Sequence, residues 1–408
     1  MTETAVAAAR TLPFLPGDPV PWFQGDCAGN PNFAFSTVAG RWSVLVLLGS
    51  AAVPQLAAAV ASIAGAARLF ADPGRTCFFV TLDATDRTPG AEGAPARLPL
   101  HLPGFYAFAD IDGEISRRYR AIDPAADPRN GHVAYRPFWL LLDPTLRVVA
   151  TGGMEDTARL LDLVAQLPAP AAHGSVVAEG GRILTVAPAD DAGQPWAPVL
   201  AVPRVFEPAF CRRLMAEYDR LGGEESGFMR EIGGRTVEMR DYGHKRRADC
   251  LIEDETLRAG IRARIERRLL PELQKAFQYK ATRIERYIVA CYDGEGSGGY
   301  FRPHRDNTTR GTAHRRFAVT INLNAEDYEG GELRFPEFGD RRYRAPTGGA
   351  VVFSCSLLHE ALAVTRGRRF ACLPFLYDDD GAAIRARNAE FLEDPQLAAV
   401  ARGAAAAG

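Results

Sequence analysis

A chain of 408 residues has room for two or three domains of ordinary size. A hydrophobic share of 47% and a charged share of 24% are those of a soluble globular protein, and a formal net charge of -2 excludes the broad basic field of a nucleic-acid binder. Seven scattered cysteines without a C-x-x-C fit a reducing compartment and argue against a disulfide framework or a cysteine-based zinc site. The first residues make a poor signal peptide. No stretch reaches the roughly 18–20 apolar residues of a membrane span, so the expected location is the cytoplasm.

Residues 1–35, rich in Pro, Gly and Asn, read as an extended lead-in. Ser43–Leu48 (SVLVLL) is a buried-strand candidate, and residues 51–70 carry Ala and Leu at helical spacing. Cys77–Leu82 and Phe105–Phe108 read as further strands, and Asp112–Tyr119 as a short helix. Phe138–Leu142 and Val148–Thr151 follow as strands joined by an Asp143-Pro144 turn, and Glu155–Leu167 closes the unit as a helix. This order predicts an α/β domain over 1–167. Residues 168–200, dominated by Pro, Ala, Gly and Asp, read as a linker with one apolar piece, Ile183–Val186.

Pro208–Leu221 has the spacing of an amphipathic helix with Phe210, Leu214 and Tyr218 on one face. Arg240–Asp249 reads as a basic loop and Leu257–Phe277 as one long helix. The pattern then changes to period two. Arg283–Cys291, Phe317–Leu323, Gly331–Phe335, Ala350–Ser354 and Arg369–Phe375 are predicted strands. Helices followed by many short strands suit a mainly β double-stranded β-helix (jelly roll) over 201–385 with buttressing helices. Residues 386–408 are left as a frayed or helical C-terminal tail.

The chemistry-bearing residues lie in this second half. In His304-Arg305-Asp306, side chains two apart on extended backbone point the same way, while Arg305 points away. With His359 from another strand they make two imidazoles and one carboxylate, the facial triad that leaves positions open for a chelating co-substrate and O2. A single histidine is more often hydrogen-bonded or exposed than ligating, and His101, His132, His173, His244 and His314 take that ordinary reading. Cys291, Cys355 and Cys372 take the ordinary reading of core residues.

The segments YIVACYDGEGSGGYFRPHRDN (287–307), FAVTINLNAEDYEGGELRFPE (317–337) and VVFSCSLLHEALAVTRGRRFACLPFLY (351–377) resemble the prolyl 4-hydroxylase-like 2-oxoglutarate/Fe(II) dioxygenases. The resemblance covers about 205–380. It implies His304, Asp306 and His359 as ligands of Fe(II), and Arg369 as the cation for the far carboxylate of 2-oxoglutarate. Tyr292 matches a tyrosine that hydrogen-bonds this co-substrate. On the strand over 317–324, Ala318, Thr320 and Asn322 share a face, with Asn322 standing where some relatives carry tyrosine. The implied reaction is hydroxylation by O2 coupled to decarboxylation of 2-oxoglutarate to succinate, with ascorbate as a further candidate. Because Asp306 is a carboxylate rather than a small residue, halogenation is not expected. The substrate class left open is a prolyl or other peptidyl residue, a free amino acid or another small metabolite. A non-catalytic binding or sensing scaffold is the competing reading. Residues 224–250 and 307–316 are expected to shape the substrate's way in, and the arginines at 310, 315 and 316 with Lys245–Arg247 hint at an acidic partner.

In the N-terminal half, SVLVLLG, CFFVTLD, ADIDGEISRRYRAID and RPFWLLLDPTLRVVATG resemble the thioredoxin fold, more closely its peroxiredoxin branch, over about 40–167. That family needs a thiolate at the start of the helix after the first core strand. The stretch here is GSAAVPQ, so Arg136 matches the thiolate's arginine partner without a thiolate, and a thiol peroxidase is not expected. Cys77 reads as a small core residue. Pro137 stands where that fold has a cis-proline. The domain is left as a candidate for substrate binding, a protein contact or dimerisation.

Overall fold

The computed structural model describes residues 13–403 apart from 17, 28, 90–95, 132, 171–175, 180–181, 186–195 and 297. His132, His173 and much of the expected linker lie outside the described residues. The chain forms two compact units, residues 1–195 and, apart from 337–339, residues 196–408.

The first unit is a seven-stranded sheet with helices. In chain order it holds β1 (Gln24–Cys27), β2 (Asn30–Ala34), β3 (Trp42–Gly49), α1 (Pro54–Gly65), β4 (Arg75–Thr81), β5 (Phe105–Ala109) and α2 (Glu114–Arg118). It continues with β6 (Phe138–Leu142), β7 (Val148–Gly153) and α3 (Thr157–Ala165). The sheet order is β2-β1-β5-β4-β3-β6-β7, with β3, β4 and β5 parallel and β6 and β7 antiparallel. Every residue of β3 is buried, as expected for a parallel strand covered on both faces. The β1–β2 hairpin falls inside the stretch expected to be an extended lead-in. The Pro137 peptide bond is trans, which corrects the cis expectation. Trans is the lower-energy form even before proline, and nothing in the described loop requires the other. A small hairpin, β8 (Val176–Glu179) with β9 (Arg182–Thr185), lies in the region read as linker.

The second unit opens with β10 (Leu200–Val202), α4 (Pro208–Leu221), β11 (Glu224–Glu225), β12 (Phe228–Ile232), β13 (Arg235–Met239), β14 (Lys245–Arg246) and β15 (Ala248–Leu251). The helix α4 has the predicted bounds and buries Phe210, Leu214 and Tyr218. The expected single helix from Leu257 is instead α5 (Glu255–Arg264), a π-helical turn over Ile265–Leu269, and α6 (Leu270–Phe277). Pro271 lacks an amide hydrogen and crowds the preceding turn, and the wider π turn accommodates it. Ile261, Ile265 and Leu269 stay fully buried, so the apolar stripe survives the distortion.

The remaining strands are short: β16 (Arg283–Glu285), β17 (Ile288–Asp293), β18 (Tyr300–His304), β19 (Phe317–Asn322), β20 (Glu329–Gly330), β21 (Leu333–Arg334) and β22 (Arg342–Tyr343). They are followed by β23 (Ala350–Ser354), β24 (His359–Ala361), β25 (Val364–Arg366), β26 (Arg368–Cys372) and β27 (Phe375–Tyr377). Two expected strands are each broken in two. Arg286, at φ +68°, separates β16 from β17, and Pro374 falls between β26 and β27. A nine-stranded sheet follows the order β10-β23-β19-β26-β17-β15-β11, with β27 beside β19 and β16. A five-stranded sheet follows β14-β18-β24-β21-β22. These strand-rich sheets are consistent with a jelly roll, and both line one cavity of about 320 Å³.

The stretch expected as a C-terminal tail is ordered through residue 403. It carries α7 (Asp379–Arg387) and α8 (Pro395–Gly403). Leu392 bridges to Thr236 of β13, Glu393 N–H donates to the Thr236 carbonyl at 3.1 Å, and Leu392, Leu397 and Ala401 line the cavity. Ala398 and Ala401 are buried and Leu392 is half-buried, while Leu397 stays exposed, so the segment is held by contacts that the alanine-rich composition did not reveal.

Candidate active site

His304 ends β18 and His359 opens β24, and the two strands pair with these residues opposite each other. Asp306 follows in the loop, its N–H donating to the Cys355 carbonyl at 3.0 Å. The three donor atoms lie within 4.8 Å of one another. Asp306 Oδ1 is 3.6 Å from His304 Nε2 and Oδ2 is 3.4 Å from His359 Nε2, separations that suit ligands around a shared centre better than direct hydrogen bonds. Each imidazole is set by its other nitrogen. His304 Nδ1 donates to the Arg302 carbonyl at 2.7 Å and His359 Nδ1 to the Leu357 carbonyl at 3.0 Å. That fixes the tautomer that leaves Nε2 a free lone pair. Burial, reinforced by the neighbouring His359, holds His304 well below the ordinary histidine range, so its imidazole is neutral. The Phe301 ring stacks on His304 at 3.4 Å between centroids, and Phe353 leans on His359 at 4.6 Å.

Arg369 sits on β26 of the larger sheet, opposite Tyr292 of β17. Its side chain is 2% exposed and faces the cavity, and Nε and Nη1 have no hydrogen-bond acceptor among the described residues. A buried guanidinium left in that state costs several kcal/mol, which an incoming carboxylate would offset through a bidentate contact. Its Cζ lies 4.8 Å from the Tyr292 ring centroid. The residues present therefore fit both a divalent metal and a carboxylate-bearing chelator: two neutral nitrogens and a carboxylate on one side, an unsatisfied cation on the other.

The structure brings His304, Asp306, His359, Arg369, Tyr292 and Thr320 to the wall of this one cavity. It does not bring Asn322 there. Asn322 is buried, and its amide donates to the Ala345 carbonyl at 2.6 Å, so the expectation of a co-substrate contact is corrected. Two residues beyond Thr320 on β19, this polar side chain meets the backbone of the neighbouring loop instead of open space. Arg305 does turn from the triad and donates to the Ser356 carbonyl.

Sequence reasoning missed a buried support beneath Asp306. Arg315 grips both oxygens of Glu285 at 3.0 and 2.9 Å, His314 Nε2 lies 2.8 Å from Glu285, and Arg315 reaches the Asp306 carbonyl at 3.5 Å. Burial would raise the Glu285 carboxyl, but Arg315 and His314 outweigh it and hold it well below the usual range. His314 thus keeps its hydrogen-bonded reading. On the far wall, Arg247 holds Asp249 at 2.6 and 2.7 Å and lies 3.4 Å from the Tyr292 hydroxyl.

One comparison with known proteins falls on the same stretch. The model of the 2OG-Fe(II) oxygenase superfamily matches residues 287–377, which contain the whole triad and Arg369. Residues 287–377 carry a 2OG-Fe(II) oxygenase domain. A PKHD-type hydroxylase of Synechococcus sp. (strain JA-2-3B'a(2-13)) is 32% identical over 122 residues, covering 28% of this chain and 51% of the relative. A PKHD-type hydroxylase of Pseudomonas fluorescens (strain Pf0-1) is 37% identical over 92 residues, covering 21% and 39%. The chain thus spans about half or less of the length of these relatives. Among solved structures, a prolyl hydroxylase from Trichoplax adhaerens aligns at a TM-score of 0.35 and 16% identity, over 46% of this chain and 86% of that one. A Pseudomonas putida prolyl-4-hydroxylase aligns at 0.32 and 17%, over 44% and 92%. The oxygenase domain's family takes Fe(II), 2-oxoglutarate and O2. Among the described residues no helix is long and apolar enough to cross a membrane.

Proposed function

We propose that the protein is an Fe(II)- and 2-oxoglutarate-dependent dioxygenase that hydroxylates its substrate. One O2, one 2-oxoglutarate and one C–H bond would yield succinate, CO2 and an alcohol. The observation that carries this reading is the convergence of His304, Asp306 and His359 with the unsatisfied Arg369 in one cavity. His304, Asp306 and His359 would hold the iron, which when bound supplies the oxygen chemistry. Arg369 would take the far carboxylate of 2-oxoglutarate, with Tyr292 and Thr320 beside it. The protein's own share is position and dryness: backbone carbonyls fix both imidazoles, and Phe301 and Phe353 cover them. Such a set of groups has no evident use in a scaffold that has lost turnover.

The test is an anaerobic titration of the metal-free protein with Fe(II) and then 2-oxoglutarate. A visible absorption band should form, be lost in Asp306→Ala, and be followed on aeration by succinate release. Iron binding unchanged by Asp306→Ala would refute the reading.

The relatives' names make a prolyl or other peptidyl residue one substrate class. A small metabolite is the second, favoured by the cavity walls: Phe228 and Met229 of the β12–β13 hairpin and Leu392 and Leu397 of the C-terminal segment narrow it. For the rest of the chain we propose a thioredoxin-like, redox-inactive domain over 1–167, supported by three parallel strands flanked by two antiparallel ones, then a linker over 168–200.

A further inference from the structure

The cavity of the oxygenase domain carries a second buried basic side chain that the triad and one co-substrate leave without an anion. Arg315 shares Glu285 with His314, and Arg247 shares Asp249 with Arg286. Lys245 differs. It is 5% exposed and lines the cavity, yet no carboxylate among the described residues comes within 4.0 Å of it. Its ammonium is held by neutral acceptors, the Ser226 hydroxyl at 2.7 Å and the Gly227 carbonyl at 2.5 Å. Once protonated this nitrogen has three donors and two of them are used, so the charged form keeps one for an incoming acceptor.

The position of that donor is informative. Lys245 on β14 pairs with Phe301 on β18, and Nζ lies 4.8 Å from the Phe301 ring centroid. The same ring stacks on the metal-site imidazole of His304. Arg369 reaches the cavity from the larger sheet, whereas Lys245 reaches it from the smaller one. Two cations on two walls suit two different anions, and one co-substrate uses only the first.

We propose that Lys245 receives a carboxylate of the primary substrate, so that the enzyme acts on a small carboxylic acid with an apolar body. The inference rests on the dioxygenase reading above and adds the substrate class. The apolar body would lie along Phe228, Met229, Leu392 and Leu397, which line the cavity with Lys245. Burial pushes the lone Lys245 amine down to about 6, and a carboxylate beside it restores the charged form.

The experiment uses the full chain loaded anaerobically with Fe(II) and 2-oxoglutarate. L-Proline and L-leucine are compared with prolinamide and leucinamide, and with a proline-containing peptide amidated at its C-terminus. The readouts are perturbation of the visible band and succinate formed above the substrate-free background. The free acids should act at concentrations at least about tenfold lower than their amides, the worth of one charge-assisted contact. Lys245→Met should raise the acid concentration for half-effect about tenfold, Lys245→Arg should restore part of it, and Arg369→Met should instead raise the requirement for 2-oxoglutarate. Acids and amides acting equally, response to the amidated peptide alone, or no response to any acid overturns the proposal. So does Lys245→Met shifting the need for 2-oxoglutarate. Failure of the band to form in the wild-type protein refutes the dioxygenase reading itself, and is thereby told apart.

Discussion

Two basic side chains, Arg369 and Lys245, face this cavity, and each makes the proposed roles testable. Arg369 is planar and permanently charged, with two nitrogens awaiting an acceptor. Arg369→Lys keeps the charge but loses the two-pronged contact, so the 2-oxoglutarate concentration that half-forms the visible band should rise at least about tenfold. A change below twofold would mean that the guanidinium does not meet the co-substrate. Lys245 has a pH signature instead. Facing it are Arg247 and Arg286, which disfavour its charge, and Asp249 and Glu238, which favour it; burial dominates and sets the amine at about 6. An acid bound there would raise that value, so binding takes up a proton above pH 6. Affinity for the acid should therefore fall as pH rises from 6 to 8, by up to about tenfold per unit. Calorimetry in two buffers of different ionisation enthalpy would show the proton uptake directly, and a binding heat independent of buffer would exclude it.

At the scale of elements, the turn before β21 is the most constrained. Gly330 and Gly331 have φ of +73° and +70°, and a Cβ on Gly330 would stand 2.2 Å from the Ala363 carbonyl oxygen. Gly330→Ala should cost about 1–3 kcal/mol from the backbone alone, with the clash in addition. The melting transition of this unit should drop by at least about 3 °C. An unchanged transition would show that the turn relaxes freely. Such turns are legible in sequence, because Gly-Gly-Glu between apolar strands has few other uses. Ala350–Ser354 and Pro208–Leu221 are legible for a similar reason, since a single period runs through each without interruption. The β12–β13 hairpin was missed because its strands are polar and partly exposed, Arg230 and Glu231 alternating with little burial. Within the site, the triad and Arg369 were legible because ligand chemistry restricts residue type. Lys245 and Glu285 were less so, since only the fold shows that a Lys in a basic loop and a Glu in a charged strand face inward. Asn322 shows the converse error: strand alternation gives a face but not what fills it.

At the scale of the whole molecule, two compact units share one chain, and the first has a sequence resemblance that invites thiol chemistry. The described residues argue against it. The helix after β3 begins at Pro54, preceded by Ala51, Ala52 and Val53, so no sulfur sits at its N-terminus, where the dipole would stabilise a thiolate. Cys27 and Cys77 are fully buried. Burial pushes the Cys27 thiol up to about 12 despite Arg87 nearby, and pushes Cys77 well above the ordinary thiol range with nothing to oppose it. Near pH 7 the thiolate fraction of Cys27 is on the order of one in a hundred thousand, too little for peroxide attack at a useful rate. Metal-free protein with dithiothreitol and hydrogen peroxide should therefore consume peroxide no faster than the Cys27→Ser, Cys77→Ser double variant. A saturable turnover lost on replacing either cysteine would return the first unit to the peroxidases and make the chain a two-activity enzyme.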